Sequence, residues 1–221
     1  MTQKFTILFD LDGTLIDTAP DLIRAHNHVM KKFGYPTKTL GELKNAVGRG
    51  AKAMMAKANG QWKWFDEKIQ NEMTNEFLSY YGNNILHESK LINGVKEFLN
   101  WCKKKNISMA VCTNKTEHLA VDLLKKIGIY DYFEYVAGYN TFEYCKPDPR
   151  HLTTIIEILD GDINKSIMIG DSETDANAAK AAEIPIILLK YGYTEKKSSE
   201  IYHNHLVKDF VGIEKIISEY L

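Results

Sequence analysis

The chemistry-bearing side chains of this 221-residue chain fall in four short runs: Asp10-Leu11-Asp12-Gly13-Thr14, Thr113-Asn114-Lys115, Lys146-Pro147-Asp148-Pro149 and Gly170-Asp171-Ser172-Glu173-Thr174-Asp175. In the first, a period of two sets Asp10 and Asp12 on the same side of an extended chain, and Gly13 lets it turn sharply afterwards. Carboxylates so close repel, and need a cation, a shared proton or both. Brought into one pocket, Asp10, Asp12, Asp171 and Asp175 would bind a hard divalent cation. A few protein ligands, several waters and a phosphate oxygen are how Mg²⁺ prefers to be held. Together with Lys146, the Thr113 hydroxyl and loop amides, that cation would position and neutralise a phosphoryl group, toward which an Asp carboxylate is a competent nucleophile. Asp and Gly are equally ordinary turn formers, so an Asp-x-Asp pair decides nothing alone, and Asp148 between two prolines reads as a turn or cap.

Those runs need a scaffold that gathers them. Phe5 to Phe9 is apolar at nearly every position, as in a strand covered on both faces of a parallel sheet. Ile107 to Cys112, Tyr135 to Ala137, Ser166 to Ile169 and Ile186 to Leu189 read as further strands. Helices alternate with them over Gly94 to Lys104, Glu117 to Ile127, Pro149 to Leu159 and Thr174 to Ala182. The alternation predicts an α/β fold, a Rossmann-like parallel sheet with right-handed crossovers. Three of the four runs follow strands, and carboxyl ends of parallel strands converge on one edge, where ligands bind.

Between Ala19 and about Leu86 no strand signal appears. Leu22, Ile23, His26, Val29, Met30 and Phe33 form one helical face, with Thr18 as its cap, Pro20 in the first turn and Asp21 completing a T-x-x-D pattern. Helices are expected around Leu40 to Val47 and Ala51 to Ala58, then a longer one presenting Phe65, Ile69, Met73, Phe77 and Tyr80 or Tyr81. Roughly 70 residues is far beyond a strand-to-helix connection, so residues 19–86 are expected to form an inserted helical cap domain on a core of 1–18 and 87–221. Trp62 and Trp64 read as packing residues of that insert. Tyr191 to Asn204 is polar and carries no clear element.

Composition narrows the partners. Hydrophobic residues at 44% and charged residues at 26% are ordinary for a globular chain. A formal charge of -1 provides no broad basic field, which argues against nucleic acid and acidic membrane surfaces and for a small anion held locally. Cys102, Cys112 and Cys145 are odd in number and lack Cys-x-x-Cys spacing, so neither a disulfide framework nor a zinc site is expected. The first residues lack a signal-like apolar core, and no run approaches the roughly 18 apolar residues that span a bilayer. A cytoplasmic monomer or homodimer is expected.

DLDGT, TNK, K-P-D-P and GDSETD in this order resemble the four motifs of the haloacid dehalogenase superfamily of phosphohydrolases, and the helical insert is similar to that superfamily's type 1 cap. The resemblance covers nearly the whole chain. It implies Asp10 as nucleophile and Asp12 as general acid and base. Thr113 and Asn114 would grip the phosphoryl group, and Lys146 would neutralise charge beside Asp10. Mg²⁺ would lie on Asp10, Asp171 and the Asp12 carbonyl, with Asp175 behind them. DLDGTLIDTAPDL, TNK and LKYGYT are most similar to the phosphoglycolate phosphatase branch, which implies hydrolysis of a small phosphorylated metabolite. Pyrophosphatase and phosphosugar mutase activities, and a non-enzymatic phosphate-binding module, are the alternatives. Arg49, between Gly48 and Gly50, suits a substrate carboxylate by its bidentate geometry.

Overall fold

The computed structural model describes residues 4–43, 46–47, 50–56, 66–194 and 196–221. Arg49, Trp62, Trp64 and Phe65 therefore lie outside the described residues. Strands β1 (Thr6–Phe9), β4 (Ser108–Cys112), β5 (Tyr135–Ala137), β6 (Ser166–Gly170), β7 (Ile186–Leu189) and β8 (His205–Val207) form one parallel sheet in the order β5-β4-β1-β6-β7-β8. Five of these occupy the expected segments. The sixth, β8, begins at His205, which had no strand expectation.

Successive residues along each strand face opposite layers. Ile7, Phe9, Val111, Ile167 and Ile169 enter one apolar cluster with α5 (Val95–Lys104), α6 (Glu117–Ile127) and α9 (Ile213–Ser218). Leu8, Ala110, Cys112, Met168 and Leu188 enter the other, with α7 (Arg150–Ile158) and α8 (Glu173–Ala181). Burial on both faces is why these strands read as continuous apolar runs rather than as alternating ones.

After β1 the chain makes a short strand, β2 (Ile16–Asp17), then α1 (Ala19–Lys32), α2 (Leu40–Leu43), α3 (Ala51–Ala56) and α4 (Glu67–Asn83), and returns through β3 (Lys90–Leu91). Outgoing and returning segments pair antiparallel, Ile16 with Leu91 and Asp17 with Lys90. Met73, Phe77 and Tyr81, spaced by four, bury the face of α4, whereas Ile69 is exposed and Tyr80 stacks on His28. The expected T-x-x-D capping box is absent from α1. Asp21 instead accepts the N–H groups of His87, Glu88 and Ser89 and the Ser89 hydroxyl, tying α1 to the segment that follows α4. Among the described residues no helix is long and apolar enough to cross a membrane.

Candidate active site

β1 lies at the centre of the sheet between β4 and β6, so the chain leaves it in opposite directions on its two sides. That switch point gathers the loops after β1, β4 and β6. Asp10 prolongs β1, its N–H reaching Ile169 O at 2.9 Å. Gly13 then takes φ +86°, and a Cβ there would lie 2.5 Å from Asp171 Oδ2 and 2.8 Å from the Tyr193 ring. Only a glycine fits that turn.

Lys146 joins the acids. Its Nζ lies 2.7 Å from Asp10 Oδ1 and 2.6 Å from Asp175 Oδ1. Its main chain is held on both sides, by Asn114 Nδ2 donating to its carbonyl at 2.8 Å and by its own N–H donating to His151 Nδ1 at 3.2 Å. Asp171 accepts from Thr14 Oγ1 at 2.9 Å and from Tyr193 N at 2.7 Å. Asp175 Oδ2 takes the N–H groups of Asp171 and Ser172 and the Ser172 hydroxyl, closing the capping box of α8. One oxygen each of Asp10, Asp171 and Asp175 lies within 4.8 Å of the others.

This crowding shows in the charges. Burial pushes Asp10 up to about 6, against the pull of Lys146 and with a further push from Asp175. Burial, Asp10 and Asp175 together raise Asp171 well above the carboxylate range. Burial opposes the charge on Lys146, yet Asp10 and Asp175 hold it firmly protonated. Asp10 and Asp171, pushed toward neutrality by burial and then by neighbouring carboxylates, form a site that a divalent cation would relieve.

Asp12 stands apart from that trio. Its carboxylate accepts from Lys115 Nζ at 2.9 and 3.1 Å and from Thr18 Oγ1 at 2.7 Å. Each of the two carboxylates has its own lysine, Asp10 pairing with Lys146 and Asp12 with Lys115. Thr18 was expected to cap α1, but its hydroxyl serves Asp12 and makes no cap bond. Burial opposes the charge on Lys115 too, and Asp12 overcomes it. The Lys115 ammonium lies 4.5 Å from the centre of the Tyr81 ring, a cation–π distance.

The profile of the haloacid dehalogenase-like hydrolases matches residues 7–189, which spans every one of these runs. The chain belongs to that family. The hydrolase is 36% identical over 216 residues to the phosphoglycolate phosphatase of Mesorhizobium japonicum, covering 97% of this chain and 95% of that protein. Its identity to the phosphoglycolate phosphatase of Agrobacterium fabrum is 37% over 218 residues, covering 96% and 94%. A crystal structure of a predicted phosphoglycolate phosphatase from Haemophilus somnus superposes with a TM-score of 0.91 at 29% identity, covering 98% of this chain and 99% of that one.

In this hydrolase Asp10, Asp12, Asn114, Lys146, Asp171 and Asp175 line one small cavity of about 10 Å³, space for a single water-sized sphere. Thr113 is buried beside it, its hydroxyl accepting Lys115 N–H at 3.2 Å. Asp148 does act as a cap, accepting Arg150 N–H at 2.9 Å. Sequence reasoning gave no role to Lys115, Thr14, His151 or Tyr193, and gave Thr18 only that of a helix cap. Lys115 and Tyr193 stood in quoted motifs, TNK and LKYGYT, but nothing local says which carboxylate a lysine will reach.

Proposed function

We propose that this protein is a Mg²⁺-dependent phosphatase of small phosphate monoesters that works through an aspartyl-phosphate on Asp10. The observation that carries this reading is Asp10 itself, a buried carboxylate at the end of the central strand, held 2.7 Å from Lys146 Nζ and beside Asp171. An Asp10 oxygen attacks phosphorus, the bond from phosphorus to the leaving oxygen breaks, and Asp12 gives that oxygen its proton. Asp12 next takes a proton from water as the water oxygen attacks phosphorus. The Asp10–phosphorus bond breaks, inorganic phosphate departs, and Asp10 is again a carboxylate while Asp12 is again protonated.

Lys146 steadies Asp10 and offsets the charge of the arriving phosphoryl group, and Thr113, Asn114 and the loop amides hold its oxygens. Asp10, Asp171 and the Asp12 carbonyl would hold the cation, with Asp175, whose oxygens already cap α8 and bind Lys146, behind them. A hard ion such as Mg²⁺ suits these oxygens and, when bound, neutralises charge on the phosphoryl oxygens. Residues 19–86 act as the cap, a reading supported by the β2–β3 pair and the Asp21 tie where its two connections meet.

The names of the two curated relatives, both matched over nearly their whole length, favour phosphoglycolate as a substrate over pyrophosphate or a mutase reaction. Arg49 is the proposed partner of its carboxylate, on sequence grounds. Three unpaired cysteines agree with a cytoplasmic setting. Phosphate release from phosphoglycolate, other monoesters and pyrophosphate, with Mg²⁺ and with chelator, tests the reading. Mg²⁺-dependent release from monoesters supports it, and release only from pyrophosphate, or full activity in chelator, overturns it.

A further inference from the structure

A second cavity, of about 350 Å³, opens between the insert and the sheet edge. Its walls include Leu22, Met54, Phe77 and Leu78 from the helices of the insert, and Leu119 and Tyr139 from the other side. Asp12 and Asn114 line both this cavity and the small acidic one, so they stand at the passage between them. If Asp12 protonates the leaving oxygen, the phosphoryl group lies on the acidic side and the departing alcohol extends into the larger space. At about 30 Å³ per water-sized group, that space holds roughly a dozen heavy atoms. Glycolate has five.

The cavity is not uniformly apolar. Asn114 Oδ1 and Thr116 Oγ1 are buried polar atoms with no hydrogen-bond partner among the described residues, and both residues line it. Asn114 and Thr116 flank Lys115, which binds Asp12, and the Tyr81 ring lies 4.5 Å from the Lys115 ammonium. Thr116 is also the N-cap of α6, a position where a hydroxyl ordinarily accepts from the helix's first turn; here it makes no such bond. Orphaned buried polar atoms are unfavourable unless something fills the space and pairs with them.

We propose that the preferred leaving alcohol is amphipathic, with a hydroxyl close to the ester oxygen and an apolar body beyond it. The hydroxyl pairs with the orphaned atoms around Lys115, and the body packs between the insert and Leu119. This rests on the phosphatase reading and on Asp12 as its proton donor, but it departs from the choice of phosphoglycolate drawn from the relatives' names and ranks that ester below larger ones.

The test compares kcat/KM with Mg²⁺ for four primary alkyl phosphates: phosphoglycolate, hexyl phosphate, and the 1-phosphates of 1,2-propanediol and 1,2-hexanediol. The hexanediol ester should exceed the propanediol ester by about three- to fourfold per added methylene, and hexyl phosphate by roughly 3- to 10-fold. Leu78→Trp, which fills the cavity, should shrink the first ratio. Thr116→Val should shrink the second, and because its hydroxyl caps nothing the fold should hold. Ala51→Leu, on another wall, repeats the first test should Leu78→Trp misfold. Phosphoglycolate equal to or better than the hexanediol ester would overturn this inference and leave the phosphatase reading intact. Release from none of the four would overturn both.

Discussion

Asp10 is expected to be at once indispensable to turnover and a cost to the metal-free fold. Asp10→Asn should fold and lose nearly all phosphate release, because the amide keeps the shape and cannot attack phosphorus. More than a few per cent of wild-type rate from the folded variant would remove Asp10 from that role. The stability effect follows from its elevated pKa of about 6. A carboxyl whose folded value lies above the unfolded one, about 3.9, binds more protons when folded, so its contribution to stability falls as pH rises from roughly 4 to 6. Above that window the buried charge is a net cost. Metal-free Asp10→Asn should therefore be more stable than wild type at pH 7.5, on the order of 1–2 kcal/mol, and show no such advantage at pH 4. Denaturant titrations at both pH values check this, and equal stability at pH 7.5 would contradict it.

At the scale of elements, two connections decide how the site is held. Asp21 ties α1 to residues 87–89. Burial would raise its pKa, but the Ser89 hydroxyl and the N–H groups of His87, Ser89 and Glu88 outweigh that and hold it below the usual carboxylate range. A depressed folded value contributes stability that is present above the unfolded pKa and lost as pH falls through the folded one. Asp21→Asn should destabilise by roughly 1.5–3 kcal/mol at neutral pH, with the gap to wild type closing in acid. A gap independent of pH would mean that the tie is not electrostatic. The second connection is the loop after β7. A Cβ on Gly192 would lie 2.2 Å from Asp171 O and 2.4 Å from Asp171 Cβ, backbone and side-chain root that cannot step aside. Gly192→Ala should therefore displace Asp171 and raise the Mg²⁺ concentration for half activity at least tenfold, whereas an unchanged Mg²⁺ requirement would show that the loop yields instead.

For the whole molecule, three buried acids with one lysine among them should make metal binding visible as stability. Mg²⁺ at a hundred times its Kd should stabilise the protein by about 2.7 kcal/mol, seen as a rise in Tm that chelator reverses and Asp171→Ala abolishes. An equal rise in that variant would place the ion elsewhere.

Much of this architecture was legible in the order of residues. Short apolar runs buried on both faces announce themselves without their neighbours, so the strands carrying Asp10, Thr113 and Asp171 could be placed, and with them the edge on which those residues meet. The helices α1 to α4 were legible too, as helical periodicity without a strand. What the sequence could not determine is pairing across distance. Asp10 and Asp12, two residues apart, pair with different lysines, each more than a hundred residues away, and no local pattern says which. Thr18 and Asp21 matched a local capping pattern, and each was drawn to a partner elsewhere, Asp12 and the 87–89 segment. Local rules settle which backbone conformation a segment adopts, because those energies depend on near neighbours. Which charge a buried carboxylate faces is decided only when the sheet order brings distant loops together, since a desolvated group takes whichever partner the completed fold leaves within reach.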